Sequence, residues 1–148
     1  MSNFQLHARL QQDCFTVGSF ALSQLLMMND SRYPWFILVP RRPQITEIYQ
    51  LPETDRLQLL DESCTLAEKL QEIYQSDKLN IAAIGNLVPQ LHLHHVARFR
   101  SDNAWPDPVW GKLPRLPFAE QQADMQIKRM REALRLCLIE ENRSSHKY

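Results

Sequence analysis

Cysteine is scarce in this chain, and so is any excess of charge or any long apolar run. The three cysteines, Cys14, Cys64 and Cys137, are odd in number, far apart and never in a CxxC spacing. That pattern argues against a disulfide framework or a structural zinc site and points to a reducing compartment. No run approaches the ~18 consecutive apolar residues of a membrane span. Residues 1–4 lead into polar sequence without the apolar stretch of a secretory signal. A soluble, cytoplasmic protein with no membrane partner is the expectation. Lysine plus arginine and aspartate plus glutamate both number 17, so formal charge is zero. A general nucleic-acid binder would show a net basic face, so no nucleic-acid partner is expected. A small anionic ligand remains open, because a few local donors hold one. Internal repeats and low-complexity segments are missing as well.

What is present suits one folded unit. The 148 residues are 44% hydrophobic and 9% aromatic, enough for a core without metal or disulfide staples. Asn3 is a candidate cap for a short helix to Asp13, with Leu6 and Leu10 inward. Residues 15–28 read as extended structure with a turn or bulge at Gly18. A turn cluster, Asn29-Asp30-Ser31-Arg32, precedes Trp35-Phe36-Ile37-Leu38-Val39, an apolar run between Pro34 and Pro40 that suits a buried central strand. Pro52, Glu53 and Asp55 mark a helix start. Leu57, Leu60, Cys64, Ala67, Leu70 and Tyr74 recur at helical steps and predict a long amphipathic helix to Gln75. Strands are expected over 79–84 and 90–99. Residues 101–117 hold four of the nine prolines, with Trp105 and Trp110, and read as an irregular loop. A second helix is predicted over 118–142, with Ile127, Met130, Leu134 and Leu138 on its inner side and a frayed tail beyond. One helix between strand pairs is an α+β order.

Three of the five histidines fall within four residues, in Gln90-Leu91-His92-Leu93-His94-His95-Val96. Side chains on a strand alternate faces, so Gln90, His92 and His94 share one face and Leu91, Leu93 and His95 the other. Such a pair of imidazoles can be a coincidence of a satisfied strand. It can chelate a metal, although no carboxylate follows and Arg98 and Arg100 do. It can also serve phosphoryl transfer, since a neutral imidazole is a good nucleophile near pH 7 and neighbouring donors balance phosphate charge. This third chemistry also uses Arg98, Asn86 and the Gly85 turn. His95, facing with the leucines, reads as structural. His7 and His146 read as bystanders.

Gly85-Asn86-Leu87-Val88-Pro89-Gln90-Leu91-His92-Leu93-His94-His95-Val96 resembles the signature of the histidine triad (HIT) family, G-Q-[ST]-φ-x-H-φ-H-φ-H-φ-φ with φ apolar. Phe36-Ile37-Leu38-Val39-Pro40-Arg41-Arg42 resembles that family's hairpin strand, and Asn29-Asp30 with Tyr33-Pro34-Trp35 is similar to a bacterial HIT-like hydrolase branch. The resemblance covers residues 4–105. It implies a HIT-like α+β fold: an antiparallel sheet of about five strands, a long helix between strand pairs and a C-terminal helix. It also implies a single HIT-like domain over 1–148, its core at 4–105.

Carried over, His92 takes the place of the nucleophile that forms a nucleotidyl-histidine, and His94 that of the third histidine, which contacts phosphate. Gly85 and Asn86 stand at the phosphate-approaching turn. Asn80, Arg98, Asn29 and Asp30 are further candidate nucleotide contacts, as is Gln90 in the first histidine's place. Leu87 replaces a Ser/Thr donor, and Trp35 falls where one branch has a histidine that orients the nucleophile. The implied function is nucleotide hydrolysis or transfer on a phosphate ester, anhydride or phosphoramidate, without cofactor or metal, by a homodimer. The alternatives are a catalytically weak nucleotide-binding module and an HxH metal-binding protein.

Overall fold

A computed structural model describes residues 3–140. The expected frayed tail, the predicted helical residues 141–142 and His146 lie outside the described residues; the second helix itself ends at Ala133, short of the expected 142. Helix α1 (Ala8–Asp13) leads into a hairpin of β1 (Cys14–Ser19) and β2 (Ser23–Met28), and then β3 (Trp35–Pro40). The long helix α2 (Glu53–Tyr74) crosses to β4 (Lys78–Ala82) and β5 (Leu93–Arg98), and α3 (Glu120–Ala133) follows the proline-rich loop. The five strands form one sheet in the order β1-β2-β3-β5-β4, antiparallel at every pairing. The α+β architecture read from the sequence is thus the one observed. The irregularity expected at Gly18 is a register shift between Thr16 and Gly18, a β-bulge. Space there is tight: a Cβ on Gly18 would lie 3.0 Å from Leu138 Cδ1.

The sheet is buried on both faces, which explains the unbroken apolar run of β3. Phe36 and Leu38 join Leu93, α2 residues Leu59, Leu66 and Leu70, α3 residues Ile127 and Met130, and Leu134 just after α3 in one core. Trp35, Ile37 and Val39 project to the other side, with Val96, Leu10, Val88, Ala104 and Val109. The loop after β5 and the N-terminal segment cover that second face.

Three local expectations are corrected. The inner face of α2 is Leu59, Glu62, Ser63, Leu66 and Leu70, whereas Leu57 and Leu60 are 62% and 61% exposed and Cys64 is exposed too. Two polar residues disguise the buried stripe, and each is satisfied there. The Glu62 carboxylate accepts the Leu22 and Ser23 amides of the β1–β2 turn at 2.9 Å each, and Ser63 Oγ lies 2.7 Å from His95 Nε2. Helix α1 is capped by His7, whose Nδ1 accepts the Arg9 amide at 3.0 Å, instead of by Asn3. Strand β5 begins at Leu93, so Gln90 and His92 precede it.

Candidate functional site

The approach to β5 is set by Gly85, whose φ of +70° suits a residue without a Cβ. The turn brings residues 84–88 over the second face of the sheet, where a cavity of about 430 Å³ opens. Its wall includes His92, His94, Gly85, Asn86, Trp35 and Trp110, with Arg9, Leu10 and Asp13 from the N-terminal helix. A second lobe of about 300 Å³ shares Arg9, Asp13, Met28, Trp35 and Gly111 with it and adds Asp30 and Arg115.

The two cavity-lining imidazoles stack edge to face, ring centroids 4.8 Å apart, and their neighbours assign different tautomers to them. His92 Nδ1 is 2.7 Å from the Gln90 carbonyl. A carbonyl only accepts, so Nδ1 carries the proton and Nε2 keeps its lone pair. No protein group among the described residues bonds that Nε2. His94 is the converse: its Nδ1 accepts the Trp35 indole N–H at 3.0 Å, which leaves the neutral ring's proton on Nε2. The sheet register explains this bond. Trp35 sits opposite Val96, so His94, two residues earlier on the same face, is its diagonal neighbour.

Burial lowers the His92 pKa; the Gln90 carbonyl opposes the shift and the His7 charge adds to it. Burial, then His92 and His95, pushes His94 down to about 3. Both rings are therefore neutral near pH 7.

His95 lies on the opposite face, 1% exposed. Its Nδ1 is 3.0 Å from the Leu93 carbonyl, and its Nε2 takes the Ser63 hydroxyl. Burial lowers it to about 4.

The other sequence candidates are placed as follows. Gly85 and Asn86 line the cavity. Gln90 does not. Its Oε1 accepts the His7 amide and its Nε2 donates to the Gln5 carbonyl, both at 2.8 Å, so the side chain fastens the N-terminal segment. Arg98 is 1% exposed and fully engaged, by Asp102 in a fork at 2.8 and 3.1 Å, by Asn80 Oδ1 at 2.8 Å and by the Asp107 carbonyl at 2.8 Å. Neither Arg98 nor Asn80 lines the cavity. Asn29 Oδ1 accepts the Phe118 amide at 2.8 Å. Asp30 reaches the second lobe, but Arg32 holds its carboxylate at 3.2 Å.

Sequence reasoning did not single out Arg9, Asp13, Met28 or Gly111. The i,i+4 spacing of Arg9 and Asp13, an ion pair at 3.0 Å, was the available signal. Trp110, from the proline-rich loop, meets His94 edge-on at 5.4 Å and Trp35 at 6.1 Å. Its indole N–H is buried with no partner among the described residues. Among those residues, no group of three or more His, Cys, Asp or Glu is placed to hold a metal ion, and no helix is long and apolar enough to cross a membrane.

Residues 9–101 match the model of the HIT domain. A histidine triad protein from Marinobacter aquaeolei VT8 is 47% identical over 90% of this chain and 98% of its own, with a TM-score of 0.88. One from Bradyrhizobium japonicum is 45% identical over 88% and 97%, TM-score 0.86. One from Sinorhizobium meliloti 1021 is 40% identical over 90% and 99%, TM-score 0.88. No curated protein is similar enough to match. A turn, a paired-histidine strand and a sheet in the expected order thus coincide with a family model and three bacterial structures: the chain belongs to the histidine triad family.

Proposed function

We propose that this protein hydrolyses or transfers a nucleotide through a covalent nucleotidyl-histidine on His92. The supporting observation is the 2.7 Å contact between His92 Nδ1 and the Gln90 carbonyl at the cavity wall. It leaves Nε2 neutral, unprotonated and unpartnered, the state a nitrogen nucleophile needs. In this reading the Nε2 lone pair attacks the phosphorus bearing the nucleoside, and the bond to the leaving group breaks. The Gln90 carbonyl stabilises the imidazolium through the Nδ1 proton. His94 Nε2–H and the amides of the Gly85–Asn86 turn serve as donors to the non-bridging oxygens. Water then attacks phosphorus, the P–N bond breaks with its electron pair returning to Nε2, and the proton of the water passes to solvent.

A second reading, a nucleotide-binding module with little turnover, is favoured by the scarcity of free positive charge. Arg98 is consumed internally, Arg9 is paired with Asp13, and Leu87 offers no hydroxyl where the family carries Ser or Thr. One experiment separates the two. Rapid quench with a labelled diadenosine polyphosphate should trap an adduct in the wild type and none in His92→Ala. Binding without an adduct in the wild type would support the module instead.

The protein is further read as a homodimer. The outer edge of β1 is closed by Arg131, which donates to the Val17 carbonyl at 2.6 Å, and by the Ile139 amide on Ser19 at 2.8 Å. The outer edge of β4 is met, among the described residues, by the strand's own Lys78 ammonium on the Leu79 carbonyl at 2.7 Å and not by another element, and Ile81 there is 47% exposed. An open edge strand favours pairing with a second copy. Leu57 and Leu60 supply a further uncovered apolar face on α2.

A further inference from the structure

Trp35 stands where a histidine would orient the nucleophile in one branch of the family, yet its indole N–H goes to His94. We propose that Trp35 is a positioning residue that fixes the His94 proton on Nε2, and thereby confines the enzyme to leaving groups that depart without accepting a proton. That means the phosphate side of an anhydride, and not the amine of a phosphoramidate. The inference rests on the His92 reading above and narrows its substrate class.

An indole nitrogen only donates. While it donates to His94 Nδ1 at 3.0 Å, that nitrogen has no room for a proton of its own. To become an imidazolium, His94 would have to break this bond and place N–H against N–H. It would also have to hold a charge between the rings of His92, Trp35 and Trp110. His94 is therefore a fixed neutral donor, able to bond an oxygen but poor at surrendering its proton.

No other group facing the cavity replaces it as an acid. His92 is the nucleophile. His95, on the same strand, points to the other face of the sheet and is bonded to Ser63. Asp13, the carboxylate of the main lobe, is engaged by both Arg9 and Arg115, at 3.0 and 3.1 Å. Asp30, in the second lobe, is held by Arg32. His7 spends Nδ1 on the helix cap and is not part of the cavity wall.

The proton balance then selects the leaving group. When His92 Nε2 bonds to phosphorus in an anhydride, the P–O bond breaks and its electron pair leaves on the bridging oxygen. A phosphate of pKa about 6 carries that charge without a proton at neutral pH. In a phosphoramidate the electron pair would leave on nitrogen as an amide anion, which must be protonated as the bond breaks. A general acid is worth about 10²–10⁴-fold at such a step, and this site has none.

The test measures kcat/KM for diadenosine tetraphosphate and for an alkylamine phosphoramidate of AMP, in the wild type and in Trp35→Phe. Nitrogen-15 NMR of the His94 ring runs alongside. The wild type should prefer the anhydride by about a hundredfold or more. Its His94 should carry the proton on Nε2 and stay neutral between pH 5 and 8. In Trp35→Phe, where burial still opposes the charge, the His94 pKa should rise above its wild-type value and the preference should narrow by about tenfold. Comparable wild-type turnover of both substrates would overturn the inference. So would a wild-type His94 protonated on Nδ1, or a preference unchanged in Trp35→Phe although the His94 pKa has risen. Should Trp35→Phe fail to fold, the wild-type preference and the wild-type ring still decide. If neither substrate labels His92, the proposed function falls, while the NMR result still reads the Trp35–His94 lock by itself.

Discussion

Replacing Gln90 by Leu tests what this side chain does. Its amide makes two bonds, to the His7 N–H and the Gln5 carbonyl, and each is worth about 0.5–1.5 kcal/mol net. Losing both should weaken the docking of residues 5–7 by about 1–3 kcal/mol, roughly 5- to 150-fold in that local equilibrium. The next residues, Arg9, Leu10 and Asp13, form one wall of the cavity, so substrate binding should suffer with the docking. The group that orients His92 is the backbone carbonyl of residue 90, which Leu supplies equally well. KM should therefore rise about tenfold while kcat stays within about threefold, the signature of lost uniform binding. Amide hydrogen exchange at His7 and Arg9 should accelerate in parallel. A hundredfold fall in kcat with KM unchanged would refute this reasoning and make the Gln90 amide a participant in the chemistry.

Two further outcomes are expected. Burial pushes the His95 imidazole from the ordinary 6.5 to about 4, so below pH 6.5 the unfolded chain binds its proton first. Stability from this group is complete above pH 6.5 and falls by up to about 3 kcal/mol as pH drops to 4. Urea unfolding at pH 7 and pH 4.5 checks the sign, and equal stabilities would contradict it. On the oligomer, Leu60→Asp combined with Ile81→Asp should give monomers by analytical ultracentrifugation with circular dichroism unchanged, because both side chains are already exposed. A dimer that survives the double substitution would place the interface elsewhere.

The fold was legible wherever apolar residues alone carried the signal. The run from Trp35 to Val39 announced a central strand, and Ile127 and Met130 marked the buried side of α3. The long helix showed its position but not its orientation. Periodicity counts apolar residues, and here the inner face spends two positions on Glu62 and Ser63 while Leu57 and Leu60 face outward. Only the tertiary partners, two turn amides and the His95 ring, make a carboxylate and a hydroxyl acceptable inside. A sequence window contains neither partner.

Strand alternation brought His92 and His94 to the same cavity for a partly accidental reason. His92 precedes the regular strand, and its ring is oriented by the carbonyl two residues back. The same rule grouped Gln90 with them, but outside the strand that side chain follows the N-terminal segment instead. Arg98 illustrates a second limit. An arginine near a phosphate motif reads as an anion contact, whereas its actual partners, Asp102, Asn80 and the Asp107 carbonyl, come from three places in the chain. Each was visible as a residue, but their convergence was not. What remains facing the cavity is two neutral imidazoles of opposite tautomer. One was set by a carbonyl that any residue at position 90 would provide; the other was set by the indole that only Trp35 provides. Variation at position 90 should therefore leave the nucleophile in place, whereas variation at position 35 should change which bonds the nucleophile can break.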